Sequence, residues 1–69
     1  MSKFIIRQAF AEAMDLQKRN QFDDAKEIYK KILKTDSLEP NANHLVSLIY
    51  MAERDFSQAK EHIERAILK

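Results

Sequence analysis

A 34-residue echo limits what this chain can fold into more than any other feature. Phe22–Leu33 reads FDDAKEIYKKIL, and Phe56–Ile67 reads FSQAKEHIERAI. Residues 9–35 shifted by 34 meet residues 43–69 without an insertion, with identities at Phe22/Phe56, Ala25/Ala59, Lys26/Lys60 and Glu27/Glu61. Residue types pair further: Ala13 with Ser47, Leu16 with Tyr50, Tyr29 with Ile63, Leu33 with Ile67. A fixed period of this length describes one supersecondary unit used twice, each copy burying its apolar face against the next. The chain contains no Gly and one Pro. The tight positive-φ turns of compact β folds are therefore unsupplied, and the repeated unit reads as helical.

Apolar spacing predicts four helices. In the first, from Lys3 to Arg19, the residues Ile6, Ala9, Phe10, Ala13 and Leu16 recur every three or four positions and make one stripe. Asn20-Gln21 breaks the pattern, and Asn accepts the left-handed exit of a helix without glycine. The second helix, Phe22–Thr35, places Asp23 and Asp24 at its positive end and Lys30, Lys31 and Lys34 toward its negative end. Its apolar face is Ala25, Ile28, Tyr29, Ile32 and Leu33. After the connector Thr35–Glu39, Pro40 suits the first position of a third helix, where its missing N–H costs nothing. That helix runs to Glu53 with Leu45, Leu48, Ile49 and Ala52 among its apolar residues. Arg54-Asp55 makes the next break. The fourth helix runs from Phe56 to the end with Ala59, Ile63, Ala66 and Ile67 on its inner face. Short connections imply antiparallel neighbours, so residues 1–69 read as one all-α domain of two hairpins, residues 6–39 and 40–69.

Size and charge exclude several function classes. Sixty-nine residues make one small domain with a limited core. The absence of Cys removes disulfide staples and thiolate metal sites and suits a cytoplasmic setting. A net charge of +1 gives no strong pull toward nucleic acid or an anionic membrane. Lys26, Lys30 and Lys34 share a helix face, but neighbouring acids weaken its field. It reads as a solvated face with Glu27–Lys31 and Glu61–Arg65 pairs rather than a phosphate-binding surface. The apolar run Phe4-Ile5-Ile6 ends at Arg7, too short for a signal core or a membrane span. No Gly-rich phosphate loop, HExxH or nucleophile elbow is present, so the expectation is no enzyme, no cofactor and no metal. His44 and His62 lie in different halves, neither with a carboxylate or second His at i+3 or i+4, and read as solvated or rim histidines.

The gap-free helix–turn–helix period resembles the tetratricopeptide repeat, across two repeats. Small residues stand where that family's helices cross, at Ala13, Ala25, Ser47 and Ala59. Its aromatic at the start of the second helix matches Phe22 and Phe56, and its large residue late in the first helix matches Leu16 and Tyr50. The chain departs from the family at Ala9 and Asn43, where an aromatic is usual, and at Ser37, where a proline is usual. The resemblance implies the start of a right-handed α-solenoid and an interaction module whose first helices line a concave face. The lining it implies is Arg7, Phe10, Ala11, Met14, Gln17 and Lys18 in one repeat and Asn41, His44, Leu45, Leu48, Met51 and Ala52 in the other. Phe10 and Met14 stand where members that clamp acidic tails carry Lys and Asn. A protein partner offering a hydrophobic peptide or amphipathic helix fits better.

Two alternatives stay open. Phe10, Met14, Leu48 and Met51 could be shared core, covered by the Phe4-Ile5-Ile6 turn or by another copy, and the four helices could form a bundle without repeats. The sequence also ends at Ala66-Ile67-Leu68-Lys69 within a helical pattern, without a polar capping helix. That gives the expectation of self-association, or of a place in a longer array. The crossing-point assignment has a direct consequence: Ala25→Leu or Ala59→Leu costs ~1–3 kcal/mol through overpacking. Urea denaturation measures it, and an unchanged midpoint would reject the assignment.

Overall fold

Each apolar stripe becomes a helix. The computed structural model describes residues 3–68, with side chains from Ile5 onward. The side chain of Phe4, and with it part of the turn expected to cover the first stripe, lies outside the described residues, as do Met1, Ser2 and Lys69. The described residues form four helices and no strand: α1 (Lys3–Lys18), α2 (Phe22–Thr35), α3 (Pro40–Ala52) and α4 (Phe56–Leu68). α1 and α3 each stop one residue short of the end set by periodicity.

The two hairpin turns repeat in backbone as well as in sequence. Asn20 takes φ 61° and Arg54 takes φ 63°, positions separated by the period. At the first turn, Gln21 N–H donates to the Leu16 carbonyl at 2.9 Å and Asn20 N–H to the Gln17 carbonyl at 3.0 Å. At the second, Asp55 N–H donates to Tyr50 at 2.8 Å and Arg54 N–H to Met51 at 3.0 Å. Both are Schellman closures, which satisfy carbonyls that a helix end would otherwise leave open. Asn tolerates the left-handed region because its short polar side chain bonds locally; Arg has no such compensation.

Helix starts use different devices. Pro40 occupies the first turn of α3, and the Glu39 carboxylate accepts from Ala42 N–H at 2.6 Å. At α4, Asp55 Oδ1 accepts from Gln58 N–H at 3.3 Å. Gln21 makes no side-chain cap at α2, where Asp23 and Asp24 sit in the first turn and complement the helix dipole.

The main packing joins α1 to α2, α2 to α3 and α3 to α4, as in two consecutive helical hairpins. The Cα envelope measures 31 × 29 × 14 Å, and 14 Å is about one interhelix spacing plus one helix cylinder. The chain therefore zigzags between two layers, α1 and α3 in one, α2 and α4 in the other. Open clefts remain between the helices of a layer.

The core is Ala13, Ala25, Tyr29, Ile32, Ala42, Val46 and Ile49. All four expected crossing residues are buried, with Ala13, Ala25 and Ser47 fully so and Ala59 nearly so. Leu16, Phe22 and Tyr50 pack against the core half-buried. The α3 core face is Ala42, Val46 and Ile49; of the apolar residues expected on this helix, Leu48 and Ala52 are exposed.

The fourth helix corrects the sequence reading most. Its buried residues are Ala59 and His62, whereas Phe56, Ile63 and Ile67 are 62%, 40% and 78% exposed. Phe56 fills no wedge between helices. Its period partner Phe22 is half-buried because α3 packs over α2, and nothing among the described residues covers the corresponding face of α4. Lys26 is corrected too. It is largely covered, with Nζ 2.7 Å from Glu53 Oε1 and 5.2 Å from the Tyr50 ring centre, rather than on a solvated face. Glu61 pairs with Arg65 at 2.5 Å as expected, but among the described residues Glu27 and Lys31 do not pair with each other.

The unlike turn residues carry a measurable consequence. Arg54→Gly removes the left-handed penalty and raises stability by ~0.5–1 kcal/mol, after the added freedom of the unfolded chain is subtracted. Asn20→Gly gains less. Guanidinium denaturation of both variants checks the order; equal effects would mean that the Arg54 backbone is unstrained.

Candidate functional site

Tyr29 organises the space between α1 and α3. Its ring lies wholly in the core, 6.2 Å from the Phe10 ring centre and tilted 54° to it. The Tyr29 hydroxyl donates to Gln17 Oε1 at 2.9 Å, and Gln17 Nε2 reaches the Leu45 carbonyl at 3.5 Å. One relay thus joins α2, α1 and α3. Burial pushes the Tyr29 pKa up to about 12, so the hydroxyl keeps its proton and remains a donor across the physiological range.

Above this relay lies an open cleft of about 280 Å³ lined by Met14, Gln17, Lys18 and Leu45. The cleft brings together four of the eight groove residues read from the sequence. Met14 is 42% exposed, and Leu48 and Met51 on α3 are 42% and 45% exposed. These two and the exposed His44 lie outside the cleft lining. Phe10 is half-buried against the core and the Tyr29 ring, so it belongs to the floor more than to the surface. The cleft is apolar with one amide and one ammonium at its margin. Flexible methionines in such a setting accommodate varied apolar partners.

A second polar arrangement lies between α3 and α4, and sequence reasoning missed it. Asn43 is fully buried. Its Nδ2 donates to the carbonyls of Ser37 and Glu39, both at 3.0 Å, and its Oδ1 lies 2.9 Å from His62 Nδ1. Two carbonyl acceptors fix the amide orientation, so Oδ1 faces the histidine and Nδ1 carries the proton. The His62 ring stacks on Tyr50 with centres 5.5 Å apart and planes 9° apart. His62 is therefore an interior residue, not the solvated or rim histidine expected. The available signal was its period partner, Ile28, an apolar position. Ser47 is likewise satisfied, its hydroxyl donating to the His44 carbonyl at 2.5 Å.

The outer edge of His62 borders a second open cleft, about 310 Å³, with Lys30, Leu33, Lys34 and Arg65. Burial lowers the His62 pKa and Arg65 lowers it further; Glu61 opposes them, and Lys30 adds a smaller lowering effect. Among the described residues, no three His, Asp or Glu side chains gather where they could hold a metal ion. No described helix is long and apolar enough to cross a membrane. No protein-family model, curated protein or solved structure matches the chain.

The lowered pKa gives a pH dependence with a definite sign. The unfolded chain binds a proton at His62 more readily than the folded chain. Stability from this residue is complete above about pH 6.5, the ordinary histidine value, and declines as pH falls toward the lower folded value. Thermal melts from neutral to mildly acidic pH should show this loss, and His62→Gln should flatten it. An unchanged slope in the variant would assign the effect elsewhere.

Proposed function

We propose that this chain is a protein–protein interaction module, a pair of tetratricopeptide-like hairpins, whose α1–α3 cleft receives an amphipathic helical segment of a partner protein. The observation behind this reading is the meeting of Met14, Gln17, Lys18 and Leu45 around one open, mainly apolar cleft. Leu48 and Met51 remain exposed on the same pair of helices. The repeat reading is supported by the two left-handed turn residues and their Schellman bonds, which recur at the sequence period.

The cleft suits such a segment chemically. Met14 and Leu45 offer apolar contact, Lys18 can meet a carboxylate at the margin, and the Gln17 amide is held by Tyr29 rather than free to reorganise. A prepositioned polar group fixes the orientation of an incoming helix, while apolar area supplies most of the binding free energy. Acidic peptides lacking apolar anchors fit poorly.

Peptide display against the full chain tests this reading. Selected sequences should carry apolar anchors at i and i+3 or i+4. Met14→Glu should weaken a selected peptide by about tenfold or more, the loss of one buried apolar contact plus an unpaired charge. Circular dichroism should stay unchanged, because Met14 is exposed. Phe10 is the poorer probe, since it also supports Tyr29. Failure to enrich any peptide, or binding indifferent to Met14→Glu, would remove the cleft as the site.

A further inference from the structure

Two helices bring cations to one cleft. Lys30 and Lys34 stand a turn apart on α2, and Arg65 stands a turn beyond His62 on α4. With Leu33 they line the open α2–α4 cleft of about 310 Å³. From the sequence, Lys30 and Lys34 belong to a solvated face shared with Lys26. In the structure Lys26 is taken up by Glu53, and the other two line a cleft with Arg65. Among the described residues neither Lys30 nor Lys34 has an ion-pair partner, and Arg65 has one, Glu61. Three cations gathered against one carboxylate repel each other. Packing does not demand them, since the period places Glu64 and Leu68 where Lys30 and Lys34 stand.

His62 completes the wall. Its Nδ1 is turned inward to Asn43, which leaves Nε2 on the accessible edge. Nε2 makes no hydrogen bond, and among the described residues no buried side-chain nitrogen lacks one, so Nε2 is open to solvent. Asn43 Oδ1 accepts from Nδ1 whether or not Nε2 is protonated. A proton gained on the cleft side therefore breaks no bond inside.

We infer that the α2–α4 cleft binds a phosphate monoester, carried on a phosphorylated serine or threonine of a partner segment. Such a group brings about 1.5 to 2 negative charges and three acceptor oxygens. That matches three cations of which one is already paired, whereas a side-chain carboxylate leaves positive charge in excess. Arg65 offers a planar fork and the two lysines compact charges. Leu33 gives apolar contact to the carbons beneath the phosphate. The cleft is too open to enclose a small phosphorylated molecule, but a peptide continues past it and adds contacts outside. A nucleic acid brings one charge per phosphate along an extended track, and a chain of net charge +1 supplies no such track. The bound phosphate offsets Lys30 and Arg65, and a protonated Nε2 becomes a further donor to it, so binding takes up a proton at His62. The groups around that ring are Glu61 and Arg65 on its own helix, Lys30 on α2, and Asn43 and Tyr50 on α3.

This cleft is separate from the α1–α3 cleft, and the inference stands whether or not that cleft binds anything. The probe is a blocked pentapeptide with one phosphoserine between alanines, titrated into the full chain and followed by amide and imidazole chemical shifts. Saturable shifts should centre on residues 30–34 and 62–65, and the His62 titration should move to higher pH. Lys30→Gln and Lys34→Gln, both at exposed positions, should each weaken binding about fivefold or more, the loss of one charge-assisted contact. Lys34→Arg should retain binding, and Met14→Glu should bind as the parent does. The unphosphorylated peptide should not bind, and inorganic phosphate should bind more weakly than the phosphopeptide. Equal binding of the unphosphorylated peptide, shifts confined to other residues, or a His62 titration that does not move would overturn the inference. So would inorganic phosphate binding as tightly as the phosphopeptide, or a thymidine oligonucleotide displacing the phosphopeptide at physiological salt.

Discussion

Asn43 fixes how the connector enters α3 and how α3 sits on α4. One fully buried side chain holds the connector through Ser37 and Glu39, and α4 through His62. Each bond adds only about 1 kcal/mol net, but an interior amide left unpaired would cost about 1–3 kcal/mol. The arrangement therefore discriminates more than it stabilises: positions of α3 that break the set are penalised. Among the described residues no buried side-chain nitrogen or oxygen lacks a partner, so the network is closed. Small residues at the crossings let helices approach without dictating one angle, and the Asn43 set removes that freedom between α3 and α4.

The Gln17–Tyr29 relay works on the other side of α3. α1 and α3 share a layer but make little direct contact, so their separation is imposed through α2 and the bond to the Leu45 carbonyl. A cleft supported in this way keeps its shape without being filled. Burial contributes as well, since the high Tyr29 pKa keeps the donor protonated. The two polar sets flank α3 on opposite sides, and the apolar stripe Ala42, Val46 and Ile49 packs between them.

Periodicity made the four helices, both turns and the crossing residues legible, because these depend on local spacing and on nearest neighbours. The left-handed turn at Arg54 was not readable from residue type, since Arg has no preference for that region; only the match to Asn20 at the period points to it. Asn43 and His62 were unreadable for a different reason. A buried polar residue looks like a surface residue until its partners are known, and those partners come from the connector and from another helix. Ile63 and Ile67 failed in the opposite direction. An apolar face becomes interior only if something lies over it, and sequence pattern alone does not report coverage. For the cleft, the residue types were legible but their grouping was not. Phe10, Met14, Leu48 and Met51 are all apolar, yet only one of them lines the cleft and another supports its floor.

The contrast between the two ends of the slab follows from the same rule. A unit that stacks on its neighbour in one direction is a heterologous building block, and identical blocks with matching ends extend into filaments instead of closing. Among the described residues, the outer face of α4 is apolar, with Phe56, Ile63 and Ile67 exposed. The other end of the slab carries Gln8, Glu12, Asp15 and Arg19 on the outer face of α1. Those four residues occupy, by period, the places of Ala42, Val46, Ile49 and Glu53. The duplication therefore extends to helix length, turns and crossings but stops at this face. Had it extended there too, every copy would carry both halves of the α2–α3 interface and would polymerise through them. Polar substitution at four positions on one helix face removes that outcome while leaving the inner face of α1, with Ala9, Ala13 and Leu16, free to pack on α2.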